Sequence, residues 1–195
     1  MAKNKAPSYE TQELRDFAEV LTGRRTINLY LELAVPDDLV REAVEVATWA
    51  PNHHVTEPWQ FYLLGPETIS RCIDLVREIT AQKKGDGPAE FKAEQWSQKP
   101  GWLVVTCRRS DDALLQQEDY GACCAAVQNL MLYLWKADVG TKWTSGPITR
   151  NPHLFDIIGI DEATEFVVGM IWYGYAKITP QQQRQSVDAV LTELP

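Results

Sequence analysis

Residues 49–61 read WAPNHHVTEPWQF and stand between a helical pattern and a strand. Upstream, Asp37 after Pro36 reads as a helix start. Leu39, Val40, Ala43, Val44, Ala47 and Ala50 then recur at helical spacing until Pro51 stops them. Downstream, QFYLLG (60–65) reads as a strand and PETISRCIDLVREIT (66–80) as a helix with proline in its first turn. The stretch between them crowds together two prolines, two adjacent histidines and two tryptophans. A rigid connection bearing aromatic rings and imidazoles suits a metal, an acid–base role or a flat cofactor, and its composition leaves all three open.

Working outward, Leu14, Phe17, Ala18 and Leu21 fall on one face of a helix from Glu10 to Leu21, which Gly23 is placed to end. Residues 1–9 are polar and read as frayed. WLVVTC (102–107) and EFVVGMIWYGYA (165–176) read as buried strands, GTKWTSG (140–146) as a short strand into a turn, and PHLFDIIGI (152–160) as a short helix. The span from Asp119 to Asp138 is helical and apolar on most sides, with Gly121, Ala122, Ala125 and Ala126 as small residues and Gly140 as its stop. A helix lacking a polar face belongs in the centre of the fold or at a subunit contact. Residues 81–100 are polar, with KKGDGP followed by Phe91 and Trp96, and read as a surface connection or a mobile cover over a site. The tail, 178–195, is polar and weakly patterned. With no repeat and no linker, residues 1–195 read as one domain of α+β or α/β class, three-layered, with more helix than strand.

A chain of 195 residues is long enough to bury a full core, and 45% apolar with 24% charged residues is ordinary globular composition. Nineteen basic against twenty-seven acidic side chains leave a net charge of −8, which repels nucleic acid and anionic lipid. Any phosphate must therefore be captured by a local cluster of cations. Cys72, Cys107, Cys123 and Cys124 lie in apolar runs without CxxC spacing and read as small core residues in a reducing cytoplasm. The first residues, MAKNKAPSYETQELRDF, lack the apolar stretch of a signal peptide, and no run is long enough to span a membrane. A soluble, cytoplasmic protein is expected.

Several chemistries find no motif. His53 and His54 are sequence neighbours that point apart on an extended backbone, only His153 remains elsewhere, and no HExxH or Cys/His spacing occurs, so no metal is expected. Ser145 lies in no GxSxG elbow, and neither GxGxxG nor GxxxxGK[ST] is present. GRRT (23–26) is more informative. Two arginines after a helix end offset its negative terminus, or they grip a phosphate with paired guanidinium donors. KWTSGP (142–147) reads as an ordinary turn with Trp143 in the core. Alternatively it is a ligand-lining stretch in which Gly146 lets the backbone approach closely.

In order along the chain, RRT (24–26), APNHHVTEPWQF (50–61), WTSG (143–146) and GMIWYGYA (169–176) resemble the nitroreductase family of flavoproteins. The small-subunit branch carrying A-P-D-H and W-R-S-G is most similar, and the likeness runs from about residue 10 to residue 177. The resemblance implies an α+β three-layer sandwich: a central mixed sheet flanked by helices, in an interlocked homodimer with FMN at the interface. The tail, 178–195, is then a candidate to cross to the partner subunit. Arg24, Arg25 and Thr26 match the residues that hold the FMN phosphate and ribityl chain. Pro51, Asn52 and His53 belong to the loop whose histidine reaches the flavin from the other subunit, and Trp49 stands where relatives can carry an arginine. Trp143, Thr144, Ser145 and Gly146 match the stretch along the flavin ring, and Lys177 matches a C-terminal cation near the phosphate.

Asn28 occupies a place where a basic residue near the pyrimidine edge is usual, and Glu57 replaces the usual glutamine. With Asn28 there, Arg25 or His53 must stabilise the reduced flavin, and a lower reduction potential is expected. The implied activity is hydride transfer from NAD(P)H through FMN to a small-molecule electron acceptor, a nitroaromatic or a quinone, by ping-pong exchange. The missing GxGxxG agrees with that, and no side chain is singled out as catalytic. Two alternatives stay open. One is a flavoprotein of the same fold with a specialised task, such as a dehydrogenase, a dehalogenase, or flavin storage or degradation. The other is a non-flavin interaction domain.

Overall fold

The computed structural model describes residues 10–195, so the frayed start expected for residues 1–9 lies outside the described residues. The helices are α1 (Gln12–Gly23), α2 (Asp37–Ala47), α3 (Pro66–Lys84), α4 (Asp86–Ser97), α5 (Ala113–Lys136) and α6 (Pro152–Ile158). The strands are β1 (Trp59–Leu63), β2 (Gly101–Arg108), β3 (Val139–Thr144) and β4 (Glu165–Tyr175), in the sheet order β1-β2-β4-β3. No described helix is long and apolar enough to cross a membrane.

Strand periodicity sorts the core into two layers. Leu103, Val105 and Cys107 of β2 and Ile171 and Tyr173 of β4 face one way, onto Val40, Ala43 and Ala47 of α2 and Cys123, Ala126, Val127 and Leu130 of α5. The alternate residues Trp102, Val104, Met170 and Trp172 face the other way, onto Cys72, Leu75 and Val76 of α3, Trp96 of α4 and Leu154 of α6. Helices cover both faces of the sheet, and this is the three-layer α+β sandwich the sequence implied. The apolar α5 lies beside α2 in one of the two helical layers, with Cys123, Ala126, Val127 and Leu130 against the sheet and Leu114 and Tyr120 exposed.

The structure differs from the sequence reading in three places. First, all four strands pair antiparallel, and the only parallel pairing among the described residues is the isolated bridge Thr26↔Thr141. The mixed sheet is mixed only through that bridge. Second, residues 81–100 are neither a connection nor a mobile cover. Gly85, at φ 85°, reverses the chain in one residue; Pro88 fits the first turn of α4; and Ala89, Ala93 and Trp96 are buried against α3. Third, Gly140 does not stop α5. The helix ends at Lys136, and Asp138 makes the left-handed turn at φ 61°, a conformation its short polar side chain tolerates.

Gly140 lies inside β3, and a β-carbon there would sit 2.4 Å from Cγ1 of Ile27. Ile27 is fully buried and hydrogen bonds through its N–H to the Thr141 carbonyl at 2.9 Å, fastening residues 26–28 along the β3 edge. Gly140→Ala is therefore expected to destabilise the fold by about 1–3 kcal/mol through overpacking. That corresponds to a fall in Tm of roughly 2–4 °C per kcal/mol for a chain of this size. A thermal melt equal to wild type would mean that Ile27 has room to move aside.

Candidate functional site

The first group of polar side chains gathers where α1 ends. A cavity of about 270 Å³ is lined by Arg24 and Arg25, by Gln128 of α5, and by Gln182 and Arg184 of the tail. Burial, then Arg184, then Arg25 hold the Arg24 guanidinium below its ordinary pKa. Among the described residues none of the three arginines has a carboxylate partner. The two readings of GRRT are divided between its arginines. Arg25 donates to the carbonyls of Thr22 at 2.6 Å and of Arg24 at 2.9 Å, so its side chain closes the end of α1. Arg24 lines the same cavity and makes no such side-chain bond among the described residues.

Arg184 was not singled out in the sequence. It is the sole basic residue of 178–195, and that scarcity was the available signal. Lys177 does not line this cavity; it is exposed, with its backbone N–H on the Leu29 carbonyl at 2.9 Å.

Four residues beyond Arg24, Asn28 is held from both sides. Lys142 Nζ donates to its Oδ1 and Lys99 Nζ donates to its carbonyl, each at 2.7 Å. Both ammonium groups also lie over the Trp172 ring, at 5.4 Å and 5.8 Å from its centroid. Burial, then Lys142, depress the Lys99 pKa. Position 28 thus lacks a basic side chain but does not lack positive charge, because β3 and the segment before β2 supply it.

The loop that follows α2 is built on a buried acid. Asn52 Nδ2 donates to Thr56 Oγ1 at 3.0 Å, Thr56 Oγ1 donates to Asp119 of α5, and the Glu57 N–H donates to Asn52 Oδ1 at 2.6 Å. His54, Val55 and Glu57 all adopt positive φ (59°, 52° and 45°), a conformation uncommon outside glycine and resisted most by β-branched Val55. The turn at His54 also brings the two imidazoles together, with ring centroids 3.9 Å apart, where an extended backbone would have separated them. Among the described residues no group of three or more His, Cys, Asp or Glu side chains could hold a metal ion. The loop projects Trp49, 83% exposed, together with His53 and Val55 into solvent, and Pro51 is exposed beside them.

Trp143 lies against Gly169, where a β-carbon would meet its Nε1 at 2.0 Å, and the same Nε1 faces the Val168 carbonyl at 3.4 Å. That glycine is the first of the GMIWYGYA motif, and its reason is the indole. Thr144 and Gly146 are half-buried and Ser145 is exposed, leading into a turn at Pro147–Arg150.

Within one chain these parts do not form a single pocket. Among the described residues no hydrogen bond or ion pair joins the 49–57 loop to the Arg24–Asn28 segment. The loop meets α5 at Asp119 and the arginine cavity meets it at Gln128, nine residues on, about 14 Å along the helix axis.

The comparisons with known proteins fit this arrangement. The chain is 27% identical to YfhC of Bacillus subtilis (strain 168), over 86% of this chain and 88% of that protein. It superposes on the crystal structure of a nitroreductase-like family protein from Bacillus cereus with a TM-score of 0.81 at 27% identity, covering 97% of this chain and 99% of the other. The FMN-dependent nitroreductase NfnB from Mycobacterium smegmatis, solved in complex with NADPH, shares the fold at 13% identity, with a TM-score of 0.78 over 94% and 100% of the two chains. The Nitroreductase family profile matches residues 21–175. Matched from just before its arginine pair to the end of β4, the chain belongs to the nitroreductase family.

Proposed function

We propose that this chain is an FMN-dependent oxidoreductase that uses NAD(P)H to reduce nitroaromatics, quinones or similar electron-poor acceptors. The observation that carries the reading is the meeting of Arg24, Arg25 and Arg184 at one cavity without a carboxylate. In a chain of net charge −8 such a cluster is stabilised by an anion with several oxygens, and a phosphate monoester supplies them. The donor set fits that end of FMN: Arg24 and Arg184 would hold the phosphate, with Gln128 and Gln182 as neutral donors beside them. When bound, FMN supplies hydride chemistry at one open face that serves reductant and acceptor in turn, a ping-pong exchange needing no separate dinucleotide fold.

The other site residues keep their roles within this reading. Lys142, with Lys99, places positive charge at Asn28, beside the pyrimidine edge. Thr144 to Gly146 run along the ring, and His53 approaches from a second copy of the chain. A homodimer agrees with what one chain leaves uncovered. The apolar stripe of α1 buries nothing (Leu14 48%, Phe17 59% and Leu21 42% exposed), and an apolar groove of about 390 Å³ lies beside it, lined by Phe17, Val20, Val46, Leu132 and Tyr133. The tail also exposes Val187, Val190, Leu191 and Leu194, which would be covered if it crossed to the partner. Four free cysteines agree with a cytoplasmic setting.

The deciding experiment is the visible spectrum of the purified protein incubated with FMN, followed by NADPH and then by 4-nitrobenzoate or a quinone. Bleaching by the first and recovery with the second are expected. Protein that stays colourless would overturn the reading. In the FMN-loaded protein, Lys142→Met is expected to lower the midpoint potential. The shift is about 30 mV for each 1.4 kcal/mol of preference for the reduced form that is lost. An unchanged potential in a dye titration would place the lysine pair beyond the cofactor's reach.

A further inference from the structure

A second cavity, of about 480 Å³, opens between α3 and α4. Its floor is aromatic and aliphatic, formed by Trp96 and Ile79, with Phe91, 62% exposed, at its lip. Around the mouth stand Lys83 and Lys84 from the last turn of α3 and Lys92 from the middle of α4, and no acidic side chain lines it. Among the described residues none of the three lysines has an ion-pair partner, although Glu90 on the same helix is drawn away to Arg77. Lys83 and Lys84 also offset the carbonyl end of α3. That explanation does not extend to Lys92, which sits at neither helix end. Its Nζ lies 5.5 Å from the Trp96 ring centroid, and burial and then the other two lysines hold its pKa below the ordinary value.

We propose that this cavity is an anion-selective subsite for a ligand that joins an aromatic ring to a carboxylate or phosphate. The ring would lie against Trp96 and Phe91 and the anion among the three lysines. One wall is Pro147, which directly follows the Trp143–Gly146 stretch, so a ligand seated here would lie next to the proposed flavin edge. The inference rests on the flavoenzyme reading for its place in a reaction but not for the binding itself. Two sources share the chemistry: an acceptor carrying a carboxylate, or the phosphate-bearing adenosine end of NADPH.

Calorimetric titration of the purified protein, incubated with FMN, separates them. In wild type, 4-nitrobenzoate is expected to bind at least tenfold more tightly than nitrobenzene, or NADP⁺ at least tenfold more tightly than NAD⁺. The Lys83→Gln/Lys84→Gln/Lys92→Gln variant is expected to lose the preference that exists, about 1.4 kcal/mol per tenfold, while the neutral or unphosphorylated member of the pair stays within twofold. Raising the salt should weaken binding to wild type and leave the variant little changed. A carboxylate preference identifies the acceptor as the occupant and a phosphate preference the reductant. If neither preference exists in wild type, or if the preference that exists survives in a variant with an unaltered melting curve, the subsite is excluded. Because binding is read directly, that result stands whether or not the protein turns yellow with FMN or turns over.

Discussion

Replacing Arg24 by alanine is expected to weaken FMN binding by about a hundredfold while leaving the fold intact. The guanidinium faces a cavity with no carboxylate to answer its charge, and removing it deletes a charge-assisted, paired donor worth roughly 3 kcal/mol to a bound phosphate. Nothing in the apolar core leans on that side chain. Arg25→Ala should give the opposite pattern. Its guanidinium donates to the carbonyls of Thr22 and Arg24, so its loss unfastens the end of α1, with a stability cost of about 1 kcal/mol and a smaller effect on FMN. Paired measurement of FMN affinity and of the thermal midpoint distinguishes the two. If Arg24→Ala lowers stability and spares FMN, then both arginines serve the helix end and the phosphate site lies elsewhere.

The same pair explains how much of the molecule could be read from its sequence. Elements with one strong pattern were legible: the continuous apolar strand around Val104, the helical stripe of α2 and the apolar α5. The segments RRT, APNH and WTSG were recognised through a resemblance in order and spacing, although Asn52 and Thr144 differ from A-P-D-H and W-R-S-G. What stayed hidden depended on partners far apart in the chain. Arg184 sits in a segment with no periodicity, and only the folded tail brings it beside Arg24. Lys142 has an ordinary strand position, and its meaning appears when Asn28, 114 residues away in sequence, is placed beside it by the Thr26↔Thr141 bridge. The α3–α4 pair was misread for a local reason. KKGDGP has the composition of a loop, yet one glycine at positive φ is enough to turn the chain and restart a helix.

Gly140 and Gly169 illustrate a different limit. Gly140 reads as a helix stop and Gly169 as a motif glycine, and both are required by a neighbour's bulk: Ile27 in one case and the Trp143 indole in the other. Each lets a neighbouring segment pack closely against the sheet, so at these two positions the sequence answers to packing.

Thr56→Val should be among the most damaging single changes outside the apolar core, with a stability loss of about 2–3 kcal/mol. Three non-glycine residues of the loop occupy left-handed backbone, a strain of roughly 1–3 kcal/mol each, and β-branched Val55 resists it most. That geometry persists because Thr56 accepts from Asn52 and donates to Asp119, whose side chain belongs to a residue only 4% exposed. Valine keeps the shape and removes the hydroxyl, leaving a buried carboxylate without this donor and the Asn52 amide with only the more distant His53 carbonyl at 3.4 Å as acceptor. The strained turn then keeps the Glu57 N–H to Asn52 Oδ1 and Val55 N–H to Asn52 carbonyl bonds but loses its tie to α5, and residues 52–57 should become a cleavage site in limited proteolysis. In the dimer proposed above, the presentation of His53 to the neighbouring flavin would be lost with it. Thr56→Ser, which restores donor and acceptor, should recover most of the stability and all of the protection. Urea denaturation and proteolysis read both variants. A Thr56→Val protein as stable and as resistant as wild type would mean that the loop is held by its prolines alone, and that Asp119 is buried for some other reason.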